Sequence, residues 1–170
     1  MGRQHGILVM LIFWSSLVIG LLPAGCGYSV HRQSDLPFKE IRIGTIENRT
    51  LEPKLQDKLY AALAEEFMKN GISVTRSAER KISAVVHTFD MTVLSEKNGV
   101  AVEYLVVVKA DFIVEEKDGQ KKALTNIDSP FIISLASSDD LSILLAKKEL
   151  VEEKALRDVA MRIVGALIYK

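Results

Sequence analysis

The chain has 170 residues, with 22 Lys plus Arg balanced by 22 Asp plus Glu. A formal charge of zero offers no overall field for nucleic acid or for an anionic membrane surface, so any attraction to a polyanion must come from a local cluster. The single cysteine, Cys26, excludes an intrachain disulfide and a thiolate zinc site, and the histidines are too dispersed to form a metal pair.

Arg3 precedes the apolar and small-residue run Ile7–Leu22, after which Pro23 and small residues lead to Cys26. A positive start, a short apolar stretch and small residues at a cleavage point form the layout of a secretory signal. The run is shorter than the roughly 20 residues that a bilayer-spanning helix needs. Ala24-Gly25-Cys26 resembles the bacterial lipobox, in which the cysteine is lipidated on its thiol and becomes the mature N-terminus; Pro23 stands where an aliphatic residue is usual. The expected organisation is a lipoprotein signal peptide at 1–25, a lipidated cysteine and linker at 26–39, and one domain at 40–170. Gly27 is not the Asp that resembles an inner-membrane retention signal, which favours the outer membrane. No cofactor is expected other than the covalent lipid on Cys26.

"EIRIGTI" (40–46) alternates and reads as a first strand. "ENRTLEP" turns the chain, with Asn48-Arg49-Thr50 read as turn chemistry rather than as a glycosylation site. A helix is predicted over about 53–70, with Pro53 in its first turn and Gly71 stopping it. Leu55, Leu59, Leu63 and Phe67 supply its apolar stripe. "ISVTR" (72–76) reads as a short strand and "KISAVVHTFDMTVLSEK" (81–97) as a long one.

Asn98-Gly99 is a two-residue hairpin signal, because both positions want positive φ. Asp118-Gly119, after strand 100–116, reads as a second hairpin of the same type. Strand 120–135 follows, demoted to an edge or irregular strand by Pro130. Pairing Lys97 with Val100 sets Val93 opposite Tyr104, Met91 opposite Val106, Phe89 opposite Val108 and Val85 opposite Phe112. His87 then faces Ala110 and reads as a half-buried, hydrogen-bonded histidine. The opposite sheet face is mixed, from Leu94 and Leu105 to Asp90 and Lys109; it serves equally as a partner surface or as an ordinary surface with scattered apolar residues.

From Lys147 to Tyr169 a long helix carries the stripe Val151, Ala155, Leu156, Val159, Ile163 and Val164. It either begins near Ser138 or follows a short turn and begins near Lys147. Two helices and a sheet, each with one apolar face, predict an α+β fold: both helices on one face of a mainly antiparallel, mixed sheet of four to five strands. The carboxylate pairs Asp139-Asp140 and Glu152-Glu153 do not converge along a helix, so they read as a helix cap and a solvated face. No nucleophile elbow, metal cluster or phosphate loop is present, so an enzyme is not expected.

The succession "GCGYSV", "IENRT" with "EP", "KNGVAVEY" and "LAKKELVEEKALRDVAMRIVGAL" resembles the LptE family of lipopolysaccharide-assembly lipoproteins, over essentially the whole mature chain. The resemblance implies a lipoprotein on the inner leaflet of the outer membrane that plugs the LptD β-barrel and receives lipopolysaccharide. It assigns lipopolysaccharide binding to Lys97, as Lys where the family has Arg, and to Lys147, with Lys148 as the alternative to Lys147. Lysine keeps the charge but loses the bidentate fork of arginine. Without the resemblance, Lys97 reads as the charge any hairpin tip carries for solubility. "IGTIENRT" also resembles the opening of lipoprotein activators of peptidoglycan synthases, whose partner is a cell-wall enzyme.

Overall fold

The computed structural model describes residues 36–134 and 141–169. The signal segment, Cys26 and Ser138–Asp140 lie outside the described residues. The elements in order are β1 (Glu40–Asn48), α1 (Leu55–Lys69), β2 (Ser73–Val74), β3 (Lys81–Lys97), β4 (Val100–Glu115), β5 (Lys121–Ser134) and α2 (Leu141–Ile168). They form one five-stranded sheet in the order β2-β1-β3-β4-β5. β1 runs parallel to both β2 and β3, while β3, β4 and β5 are antiparallel neighbours. This is the α+β arrangement expected, with the strand carrying Pro130 at the edge.

One face of the sheet packs on both helices. Ile41 and Ile82, Val108 and Phe112 meet Leu55, Leu59, Leu63 and Phe67 of α1, and Leu156, Val159 and Ile163 of α2. Each is essentially inaccessible to water, and a fully buried side chain of this size contributes about 1.5–3 kcal/mol. α1 starts at Leu55 rather than at Pro53, because Lys54 adopts φ 64 and an αL residue does not continue a right-handed helix. Its C-terminus closes as a Schellman motif: the Ile72 amide donates to Phe67 O at 2.9 Å and the Gly71 amide to Met68 O at 3.0 Å, with Gly71 at φ 79. Buried Ile72 and Phe67 supply the apolar contact that accompanies such a cap.

The β3–β4 turn is the expected two-residue hairpin, with Asn98 at φ 54 and Gly99 at φ 75. The β4–β5 turn is not of that type. Only Gly119 has positive φ, and the Glu116 amide donates to Gln120 O at 2.8 Å across a longer loop. Asp118 instead accepts the Gln120 amide at 3.0 Å through its side chain, so it stabilises the loop without entering the αL region.

The β3–β4 register agrees with expectation from Thr88 through Val93 and again at Lys97–Val100. Below Thr88 it shifts by one residue: Val86 pairs with Ala110 and Ala84, not Val85, pairs with Phe112. His87 is the extra residue of a β-bulge. Inward positions therefore change parity, from Ile82, Ala84 and Val86 to Phe89 and Met91, and the apolar face stays continuous. β5 carries a matching irregularity between the Ala110–Ile127 and Phe112–Leu124 pairs, where Asn126 has φ 55.

Candidate functional site

The far end of the hairpin is supported by a second apolar cluster. Val106 of β4, Ile133 of β5 and Val151 of α2 are buried together, with Phe89, Met91, Tyr104 and Phe131 against them. Beyond it Val93 and Leu94 on β3, Val100 on β4, and Leu141 and Leu145 on α2 are exposed; Ile132 of β5, between Phe131 and Ile133 of the cluster, is exposed on the opposite face of the sheet. A group of large exposed apolar side chains at one end of a domain is the usual mark of an interaction surface.

Lys97 is exposed beside this turn and pairs with Val100. The αL geometry of Asn98-Gly99 holds the two strand ends together, so it also fixes where Lys97 stands. Lys147 reaches the same end by another route. Its Nζ donates to Ser134 O at 3.0 Å, Ser134 is opposite Glu103, and Glu103 is opposite Ser95. Lys147 is thus anchored level with Ser95, two residues short of Lys97 and two strands across. Strands lie about 4.8 Å apart, so the Ser134 carbonyl that holds Lys147 stands roughly 10 Å across the sheet from Ser95.

Lys148 points elsewhere. Its Nζ lies 2.5 Å from Glu52 Oε2, 3.7 Å from Glu152 Oε1 and 5.3 Å from the centroid of the Phe89 ring. Glu152 is 3% exposed, and its other oxygen takes Lys58 Nζ at 2.7 Å. The expectation of a solvated Glu152-Glu153 face thus fails for Glu152, which is buried because two lysines reach it from different elements; Glu153 is exposed. Nothing local in the sequence signals this, since Glu52 and Lys58 precede Lys148 and Glu152 by about 95 positions.

The segment "IENRT" has a visible structural role. Asn48 Oδ1 accepts the Thr50 amide at 3.0 Å and the Thr50 hydroxyl at 2.8 Å, while Asn48 Nδ2 donates to Glu52 O at 2.7 Å. This Asx turn, tied to β3 by the Arg49 amide and Val86 O at 2.8 Å, presents the Glu52 carboxylate to Lys148.

The helix-free face holds a shallow groove of about 370 Å³ lined by Thr45, Ser83, Val85, Ile113, Ala123 and Thr125. It lies on the lower half of the sheet, away from Lys97. Among the described residues no group of three or more His, Cys, Asp or Glu is placed to hold a metal ion. No described helix is long and apolar enough to cross a membrane.

Three solved structures share the architecture. Rare lipoprotein B from Shewanella oneidensis superposes with a TM-score of 0.57 at 14% identity, covering 75% of this chain and 92% of that one. A minor lipoprotein from Acinetobacter baumannii gives 0.50 at 13% identity, covering 78% and 92%. An uncharacterized lipoprotein B from Nitrosomonas europaea, solved by NMR, gives 0.50 at 16% identity, covering 81% and 87%. At these identities the likeness is one of fold. No curated protein is a significant match. The family model "LptE: Lipopolysaccharide-assembly" matches residues 38–167, from Phe38, which packs on Phe67 two residues before β1, to the last turn of α2. With the match spanning the whole described fold, the chain belongs to the LptE family of lipopolysaccharide-assembly proteins.

Proposed function

We propose that this protein is a lipid-anchored, non-enzymatic component of lipopolysaccharide assembly. In this reading Cys26 carries the lipid, residues 26–39 form the linker, and the domain sits at the periplasmic face of the outer membrane. There it partners an LptD-type β-barrel and contacts lipopolysaccharide through Lys97 and Lys147. One observation carries the site: the two lysines stand at one end of the sheet, among exposed apolar side chains. Lipopolysaccharide offers phosphates beside acyl chains, and its binder needs cations beside apolar surface. An acylated cysteine supplies the anchoring that a net-neutral domain lacks, since several chains together hold a membrane firmly where one does so marginally.

The test is lipopolysaccharide binding by the Lys97→Glu, Lys147→Glu double variant. A charge-assisted contact contributes about 1.5–3 kcal/mol, so affinity is expected to fall at least about tenfold. The unfolding midpoint is expected to change little. Unchanged affinity refutes the site. For the anchor, Cys26→Ala is expected to move the protein out of the outer-membrane fraction; continued flotation with outer membranes contradicts lipidation.

A further inference from the structure

α2 has 28 residues, yet all its buried side chains lie from Val151 onward. The first ten residues, Leu141–Leu150, bury no side chain fully: Leu144 is half-buried, and half-buried Lys147 reaches Ser134 O at 3.0 Å. Lys148 ties these turns to the ion network. Glu52, presented by the Asn48 turn, meets Lys148 at 2.5 Å; buried Glu152 lies between Lys148 at 3.7 Å and Lys58 at 2.7 Å; Glu149 is 3.9 Å from Lys58.

Consecutive helical residues point about 100° apart, so holding Lys148 inward fixes the bearing of Lys147. Lys148 also has little freedom to leave. A carboxylate as buried as Glu152 is costly once a partner is removed, and moving Lys148 to a lipid phosphate strands Glu52 as well.

We propose that Lys148 is a positioning residue: the Glu52–Lys148–Glu152–Lys58 network locks the outer turns of α2 and so aims Lys147 at lipopolysaccharide. The inference rests on the lipopolysaccharide-binding reading above. It gives the "IENRT" segment a task, since the turn built by Asn48 places the first carboxylate of the lock. It also predicts opposite outcomes from those of direct lipid contact by Lys148.

The experiment uses the full chain in detergent with purified lipopolysaccharide, comparing Glu52→Gln, Lys148→Met, their double variant and Lys148→Arg. If the lock holds the competent geometry, reducing that population to a tenth or a fifth weakens binding about five- to tenfold. Both single variants are expected to show this loss, the double variant no more than either, and Lys148→Arg near wild-type affinity. Amide hydrogen exchange across Ser142–Leu150 is expected to accelerate in both single variants. If Glu52→Gln leaves binding unchanged or tighter while Lys148→Met weakens it, Lys148 touches the lipid and the proposal is overturned. Unchanged exchange in both single variants also overturns it. A wild-type chain that does not bind lipopolysaccharide instead refutes the underlying reading, and the exchange measurement still decides whether the lock exists.

Discussion

Asp111 Oδ1 accepts the backbone amide of Asn126 at 2.7 Å. The same oxygen lies 3.4 Å from His87 Nε2, whose buried nitrogen has no aligned hydrogen-bond partner; the ring's Nδ1 is 2.9 Å from Thr88 Oγ1. Two irregularities, one on each strand flanking β4, therefore meet at one carboxylate. Bulges increase local twist, and both fall at the same level of the sheet.

Removing the Asp111 acceptor tests the junction. Asp111→Ala is expected to cost about 1–2 kcal/mol by urea unfolding, with a smaller loss in Asp111→Asn, which keeps an acceptor. At Asn126, whose φ is 55, Gly is expected to be neutral and Ala to cost about 1 kcal/mol. An Ala variant as stable as wild type would remove the reason for an αL bulge there.

Deletion of His87 makes a less intuitive prediction. Val86 faces the core, His87 and Thr88 share one outward step, and Phe89 faces the core again. Taking out His87 leaves every inward residue inward, so the chain is expected to fold with less than about 2 kcal/mol lost. Deleting Val85 flips Ile82 and Ala84 relative to the strand above and is expected to prevent folding. Equal damage from the two deletions, measured by circular dichroism melts, contradicts the bulge.

This parity change was legible before the structure. Ile82, Ala84 and Val86 fall on even positions and Phe89, Met91 and Val93 on odd ones, with polar His87 and Thr88 at the switch; Val85 and Leu94 are the exceptions. A register carried mechanically outward from the Asn98-Gly99 turn passes over it, because a turn specifies pairing only until an extra residue intervenes. The stripe of α1, the Asn98-Gly99 hairpin and the edge position of β5 were readable from local pattern alone. So was the placement of Lys97. The burial of Glu152 and the inward turn of Lys148 were not, since they arise from Glu52 and Lys58, which only the fold brings near.

The hairpin turn offers a direct handle on Lys97. Nothing lies within 4 Å of where a Cβ on Gly99 would be, so only its φ of 75 penalises a side chain. Gly99→Ala is expected to cost about 1–2 kcal/mol and to fray the tip, while Asn98→Gly is expected to be nearly neutral. Nuclear Overhauser contacts between Lys97 and Val100, lost in the first and retained in the second, check this.

Acid stability carries the signature of a surface pair. Arg49 hydrogen-bonds Glu47 at 2.9 and 3.0 Å and holds that carboxyl below its usual value of 4.5. A lowered carboxylate contributes stability that is fully present above the unfolded value and lost as pH falls through the folded one. Both side chains are exposed, so salt screens the contribution. Between about pH 5 and about pH 3 at low salt, Glu47→Gln is expected to lose less of its unfolding midpoint than wild type. A difference that persists in about 1 M salt contradicts this origin.

Assembly with an outer-membrane barrel stands at the centre of the functional reading, and affinity purification of the full-length protein from detergent-solubilised membranes of its own host measures it most directly. The expected result is stoichiometric recovery of a large LptD-type β-barrel together with lipopolysaccharide. Recovery of a penicillin-binding protein with no such barrel contradicts it.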